Sequence, residues 1–324
     1  MKYRALGRTG ITVSEIGFGA WGIGGRTVGM TSYGHTDDAT SLAALRRARE
    51  CGITFFDTSG AYGNGHSEEL IGRAFEGSRT SVVIATKAGY DSWDRPPDFS
   101  PAAIAASVEA SLRRLRTDYI DLLQLHNAPQ DVLEASAVRA VLIRLVEAGK
   151  VRAWGVSSKS PAEALAALQT VDVAVVQANF NMMDVRAANS PLLEEVAGRR
   201  AGFIGRTPLC FGFLSGAIRR DAVFPPGDHR LGWSRAQLDN WIDGAAELLA
   251  AVSARPGAEG AQSALRFCLS FPAISSTIPG ILTPAEAEAN ALASAFGPLP
   301  PAAVEAVMAI NRNRQFFVIQ PRAS

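Results

Sequence analysis

The chain has 324 residues, 47% hydrophobic and 19% charged, which supplies a sizeable core and excludes a disordered chain. Its 32 basic residues nearly balance its 31 acidic ones, a net charge of +1, so neither nucleic acid nor an anionic membrane surface is implied as a partner. No run approaches the roughly 18 apolar residues of a membrane span and no apolar signal core opens the chain, so a cytoplasmic protein is expected. In chain order, residues 2–13 read first as a hairpin, with Gly7 and Gly10 between short apolar pairs. Residues 16–21 read as a strand and 41–50 as a helix. ITFFDT at 53–58 is a strand, and 67–75 a helix opened by a Ser67 cap. VVIATK at 82–87 is a strand, followed by a helix at 101–115 with Ser100 as cap and Pro101 at its first position. Residues 119–126 form a strand, and 132–148 a helix stopped by Gly149. Strands at 152–157 and 173–179 precede helices at 161–168 and 191–197, each after a serine, Ser160 and Ser190. A strand at 202–207 leads to a helix at 235–252 and an extra one at 262–269, then a strand at 274–279 and a last core helix at 284–295.

Strand and helix alternate eight times with no break in composition. That pattern predicts an α/β protein with a parallel sheet and outer helices. Over this length it is best met by a single (β/α)8 TIM barrel spanning residues 1–324, with the N-terminal β-hairpin closing the lower end. Two long connections, 22–38 and 217–234, have the length of lids or binding loops.

The ionisable residues fall at strand ends. Asp57 ends the second strand, Lys87 the third and His126 the fourth; Ser157, Gln177 and Arg206 lie at or near the ends of the next three, and Tyr62 follows the second by a short loop. A lone aspartate there is as good a helix cap as a catalyst, and a lone lysine or tyrosine as good a surface group. Four together are hard to assign to chance, because the C-terminal strand ends of a barrel converge on one face. Hydride delivery to a carbonyl builds negative charge on oxygen, which a positioned acid must neutralise. Tyr62 can serve if its pKa is lowered from about 10 by a nearby ammonium. Lys87 supplies that ammonium, Asp57 holds it, and His126 can donate to the substrate oxygen. The three cysteines are far apart and the four histidines lack ligand spacing, so reduced thiols and no metal are expected.

These residues lie in motifs that resemble the aldo-keto reductase superfamily: GITFFDTSGAYGNGHSEELIG, VVIATK, DYIDLLQLHN, GVSS, VVQANFN, TPLCFGFLSG and STIPG, in that order. The bacterial branch with a GWGIGG-like first loop is the nearest in pattern, here at 20–25. The resemblance implies a catalytic tetrad of Asp57, Tyr62, Lys87 and His126, acting on a small-molecule carbonyl or sugar substrate. It implies NADP(H) or NAD(H) as cofactor, with Ser157, Ser158 and Gln177 at the carboxamide. Thr207, Leu209, Gly212 and Ser215 would line the pyrophosphate, and Gly280, Thr283, Glu286 and Asn290 would face the adenosine end. Trp21 and Trp93, with Trp233, are candidates for the substrate pocket. Three positions depart from the family pattern. Arg206 stands where many relatives carry an aromatic that stacks on the nicotinamide. No basic residue stands near Leu282 or Glu286, where a 2′-phosphate would sit, so weak discrimination for NADPH is expected unless Arg219 or Arg220 folds over the cofactor. Ala217 replaces a frequent lysine. The loop GIGGRTVG at 22–29 lacks the third glycine of a dinucleotide fingerprint and reads as a flexible loop beside the site. Two other roles are compatible with the motifs, an NAD-dependent sugar or alcohol dehydrogenase and a non-catalytic, cofactor-sensing subunit; a broken tetrad would favour the second, and here it is intact.

Overall fold

In the computed structural model, residues 1–27, 32–255 and 257–318 are described. The end of the 22–29 loop therefore lies outside the described residues. Strands β1 (Tyr3–Ala5) and β2 (Thr12–Ser14) pair antiparallel as the expected hairpin. The barrel strands are β3 (Phe18–Gly19), β4 (Phe55–Asp57), β5 (Val83–Ala88), β6 (Ile120–His126), β7 (Val151–Ser157), β8 (Val175–Asn179), β9 (Gly202–Arg206) and β10 (Ser276–Ile278). They run parallel in sequence order from β3 to β10.

The barrel closes between its first and last strands. Parallel bridges join Ile16 to Thr277 and Gly19 to Gly280. The amides of Gly17 and Gly19 donate to the carbonyls of Thr277 and Pro279, both at 2.8 Å. Glycine is required here because a Cβ on Gly19 would stand 2.9 Å from the Ile278 carbonyl. The interior follows the period-two alternation of strands. Phe55, Ala85, Leu122, Ala153, Val175, Ile204 and Ile278, one from each of seven strands, form a buried layer, which Leu6, Ile11 and Val13 of the hairpin seal from below.

The helices depart from expectation in several places, and the one expected at 132–148 is broken at Ala135 into Gln130–Glu134 and Ser136–Glu147. The first starts earlier, at Asp38, because the Asp37 carboxylate accepts from the Thr40 amide at 2.7 Å. Ser67 is not a cap: its helix, His66–Ala74, starts at Gly65, and the Ser67 hydroxyl is buried between Thr58 and the Ala20 carbonyl, both at 2.8 Å. Likewise the helix after Ser190 is Leu192–Gly198, with Pro191 at its N-cap. The helix packed on β10 and on Pro284–Phe296 is Ala258–Leu269, so it is the barrel-layer helix, and Arg235–Ala251 is the extra one, lying on an unanticipated C-terminal helix, Pro301–Asn313. Among the described residues no single helix is long and apolar enough to cross a membrane.

Candidate active site

One layer above the apolar floor, the inward positions of the strands change character. Two residues beyond Phe55 comes Asp57, two beyond Ala85 comes Lys87, and two beyond Leu122 comes Gln124. Register places Lys87 opposite Gln124 and His126 opposite Ser157. Lys87 is fully buried, and its ammonium donates to Asp57 Oδ1 at 2.5 Å and to the Thr58 carbonyl at 2.7 Å. Asp57 Oδ2 accepts from Gln124 Nε2 at 2.9 Å and from Gln177 Nε2 at 2.8 Å. Burial pushes the Lys87 pKa down, but the charge of Asp57 and the Tyr62 phenol outweigh it and the net direction is up.

Tyr62 stands in a short turn, Tyr62–Gly65, with Lys87 Nζ 4.9 Å from the centre of its ring. The turn is held by a contact only glycine permits: Gly63 has φ +64°, and a Cβ there would lie 2.1 Å from the Gly24 carbonyl oxygen. The first loop thus braces the backbone at Tyr62. His126 lies edge-on to Tyr62, ring centres 6.1 Å apart, and its Nδ1 is 3.4 Å from Ser59 Oγ. Burial, with the cations of Lys87 and Arg206, holds the His126 pKa well below its ordinary value, so the imidazole is neutral near pH 7. Tyr90 and Trp93 stand against the same ring at 5.6 and 5.3 Å and form an aromatic wall.

The other predicted positions surround this mouth. The Ser157 hydroxyl donates to Gln177 Oε1 at 3.1 Å, tying it through Gln177 to Asp57. Arg206 donates from Nε to Asn179 Oδ1 at 2.8 Å and from Nη1 to Ser157 Oγ at 3.4 Å. Thr207, Cys210 and Phe211 all have left-handed φ, of 53°, 43° and 58°, followed by Gly212 at 95°. Such strain in non-glycine residues clusters at ligand-holding segments. The Ser215 hydroxyl donates to the Gly212 carbonyl at 2.7 Å and stiffens the segment. Gly280 stands exposed at the end of β10. Thr283 and Glu286 form a capping box, in which Glu286 Oε2 accepts from the amides of Leu282 and Thr283 at 2.6 and 3.2 Å. Glu286 is thus committed to its own helix, and Asn290 is buried one turn further on. Arg220 pairs with Asp239 and Asp243 of the extra helix, at 3.2 and 2.7 Å.

Trp21 is not brought to Trp93. It packs with Tyr33 and His229, ring centres 5.1 and 4.7 Å away, where the two long loops meet by bridges from Ser32 and Tyr33 to Asp228. Trp233 joins the same cluster through His229 at 5.0 Å. The residues missed by sequence reasoning are Gln124, Ser59 and Tyr90, with Glu68, a buried carboxylate that accepts from Thr86 at 2.5 Å and from Arg114 at 2.6 Å and so fixes the helix behind the Tyr62 turn to β5. Only Gln124 carried a usable signal, since it lies two residues before His126 in a strand and shares its inward face.

The sequence model of the aldo/keto reductase family matches residues 15–312. The chain belongs to the aldo/keto reductase family. It is 32% identical over 297 residues to aldo-keto reductase YhdN of Bacillus subtilis (strain 168), covering 89% of this chain and 87% of that one. It is 33% identical over 258 residues to an NADH-specific methylglyoxal reductase of Escherichia coli (strain K12), covering 75% and 77% of the two chains. The solved structure of glycerol dehydrogenase AKR11B4 from Gluconobacter oxydans superposes with a TM-score of 0.79 at 26% identity, covering 99% of this chain and 98% of that one. As an aldo/keto reductase the chain is an oxidoreductase of carbonyl compounds and alcohols that uses NAD(P)(H).

Proposed function

We propose that the chain interconverts a small aldehyde, ketone or sugar and the corresponding alcohol, with Tyr62 as proton donor. The observation that carries this reading is the buried Lys87–Asp57 pair lying beneath the Tyr62 ring, with neutral His126 beside it. In carbonyl reduction, Tyr62 gives its proton to the oxygen as charge builds there, and Lys87 stabilises the tyrosinate that remains. Asp57, fixed by Gln124 and Gln177, holds Lys87. Neutral His126 donates to the same oxygen and orients it, and Tyr90 with Trp93 excludes water from one side.

The residues present fit a nicotinamide dinucleotide. Ser158 Oγ and Asn127 Oδ1 are buried at the ends of β7 and β6 without a hydrogen-bond partner, which suits a carboxamide. Gly280 leaves room, since a Cβ there would have nothing nearer than Tyr33 at 4.0 Å. Ser157, Ser158 and Gln177 would hold the carboxamide, the 207–215 segment the pyrophosphate, and the 280–290 segment the adenosine. When bound, the group supplies the hydride. Weak discrimination between NADPH and NADH belongs to this proposal, because the 280–290 segment holds two glutamates and no basic residue. A cytoplasmic location is supported by Cys51, Cys210 and Cys268, all free thiols.

The test is oxidation of NADPH and NADH, measured separately, over a panel of aldehydes, ketones and sugars, for wild type and Tyr62→Phe. Tyr62→Phe should lower turnover on the order of a thousandfold with cofactor affinity near wild type. Turnover within a fewfold of wild type would show that Tyr62 is not the acid.

A further inference from the structure

The charges at the barrel mouth do not balance. Asp57 and Lys87 pair at 2.5 Å. His126 is neutral. Arg206 adds a second cation, and both groups it donates to, Asn179 Oδ1 and Ser157 Oγ, are uncharged. The carboxylates that act on it from further off are engaged: Asp184 pairs with Arg186 at 2.7 Å, and Glu163 accepts from the Lys159 amide at 2.8 Å. Among the described residues no carboxylate lies within ion-pair distance of Arg206. Burial pushes its pKa down, but a guanidinium starts so high that it stays charged.

We propose that Arg206 sets the redox bias of the bound cofactor: its uncompensated charge favours the neutral, reduced nicotinamide over the cationic, oxidised one. The inference rests on the nicotinamide reading above. Hydride and proton go to the two atoms of one carbonyl, so the ring that gives hydride must stand within a few ångströms of Tyr62 and His126. Arg206 occupies that neighbourhood, reaching Ser157, which is paired in register with His126. A fixed cation there repels the oxidised ring and leaves the neutral one nearly unaffected, and low local dielectric strengthens the difference. In alcohol oxidation the alcohol loses a hydride to the ring and a proton to the tyrosinate of Tyr62, and the ring loses its charge, which Arg206 favours. In carbonyl reduction the same charge speeds departure of the oxidised cofactor.

The experiment measures dissociation constants of the full chain for NAD+ and NADH, and for NADP+ and NADPH, by quenching of tryptophan fluorescence. Wild type is compared with Arg206→Gln, which keeps hydrogen-bonding capacity without charge, and with Arg206→Lys, which keeps charge without the planar fork. Circular dichroism confirms that each is folded. The ratio of oxidised to reduced dissociation constants should fall about tenfold in Arg206→Gln, equivalent to about 30 mV for a two-electron couple, and stay near wild type in Arg206→Lys. A ratio in Arg206→Gln within twofold of wild type overturns the proposal, and so does an equal fall in both variants, which would assign the effect to the fork rather than the charge. Binding of neither pair by wild type would overturn the nicotinamide reading, and the proposal with it.

Discussion

The two ends of the barrel are built on the same strands and differ completely in chemistry. The lower layer, Phe55, Ala85, Leu122, Val175 and Ile204 over the hairpin's Leu6, Ile11 and Val13, is wholly apolar. Two residues further along those strands come Asp57, Lys87, Gln124, Gln177 and Arg206. Two residues are one strand period, about 7 Å of rise. The upper layer holds its buried charge above a closed, apolar floor. Stability and chemistry are therefore separable by position, and substitutions at the two levels should fail in different ways.

The largest effect should come from Lys87→Met. Turnover should fall on the order of a thousandfold, about 4 kcal/mol of barrier. Removing Lys87 also leaves Asp57 buried without its counter-charge, so the melting temperature should drop. The double variant Asp57→Asn with Lys87→Met should recover much of that stability and none of the turnover. Thermal melts and steady-state kinetics on all three check it, and recovered turnover would break the division between levels. Next, Phe55→Ala should lower stability by about 3 kcal/mol in urea unfolding, with turnover per folded molecule within twofold of wild type. A tenfold loss of turnover would show that the floor shapes the site directly.

A smaller effect is expected at the cofactor's far end. Glu286→Arg should shift the ratio of NADPH to NADH affinities severalfold toward NADPH, while loss of the capping box costs about 1 kcal/mol of stability. A wild type that binds NADPH a hundredfold more tightly than NADH, about 2.7 kcal/mol, would refute the charge argument for this segment. The smallest effect is that of pH. His126 and His229 both have pKa values held below the ordinary 6.5, chiefly by burial. Below that value the unfolded chain takes up protons that the folded one refuses, so stability should fall on acidification from pH 7 to 5.5 and show no histidine contribution above pH 7. His126→Gln should flatten this slope, as chemical unfolding at several pH values would reveal.

The eight strands, and the places of Asp57, Lys87 and His126 on them, were legible because each reports on itself. A short, mostly apolar run followed by a polar residue shows both a strand and its end, and Asp57, Lys87 and His126 are all of that kind. Most of what was not legible depends on partners outside the local segment. Ser67 precedes an apolar run as a cap would, yet Thr58 and Ala20 claim its hydroxyl. Glu286 is the local exception: its carboxylate caps its own helix start through the amides of Leu282 and Thr283 and keeps its negative charge there. Trp21 and Trp93 read alike as pocket aromatics, but one lies between two loops and the other on His126. Gln124 passed as a strand residue because its meaning lies in Asp57, on another strand.

The closing seam has a consequence for how the protein is made. The hydroxyl of Ser276 donates to the carbonyl of Ser14 across 262 residues of sequence, beside the bridges that join the first barrel strand to the last. During synthesis the first strand emerges early and finds its second neighbour only when nearly the whole chain has followed. Until then the growing sheet has an open edge and an unsealed interior, the kind of surface that invites wrong pairing. Contacts this distant slow folding, because the loop must close before they contribute. The hairpin lies beneath the gap, and Ile278 of the last strand completes the apolar layer above it.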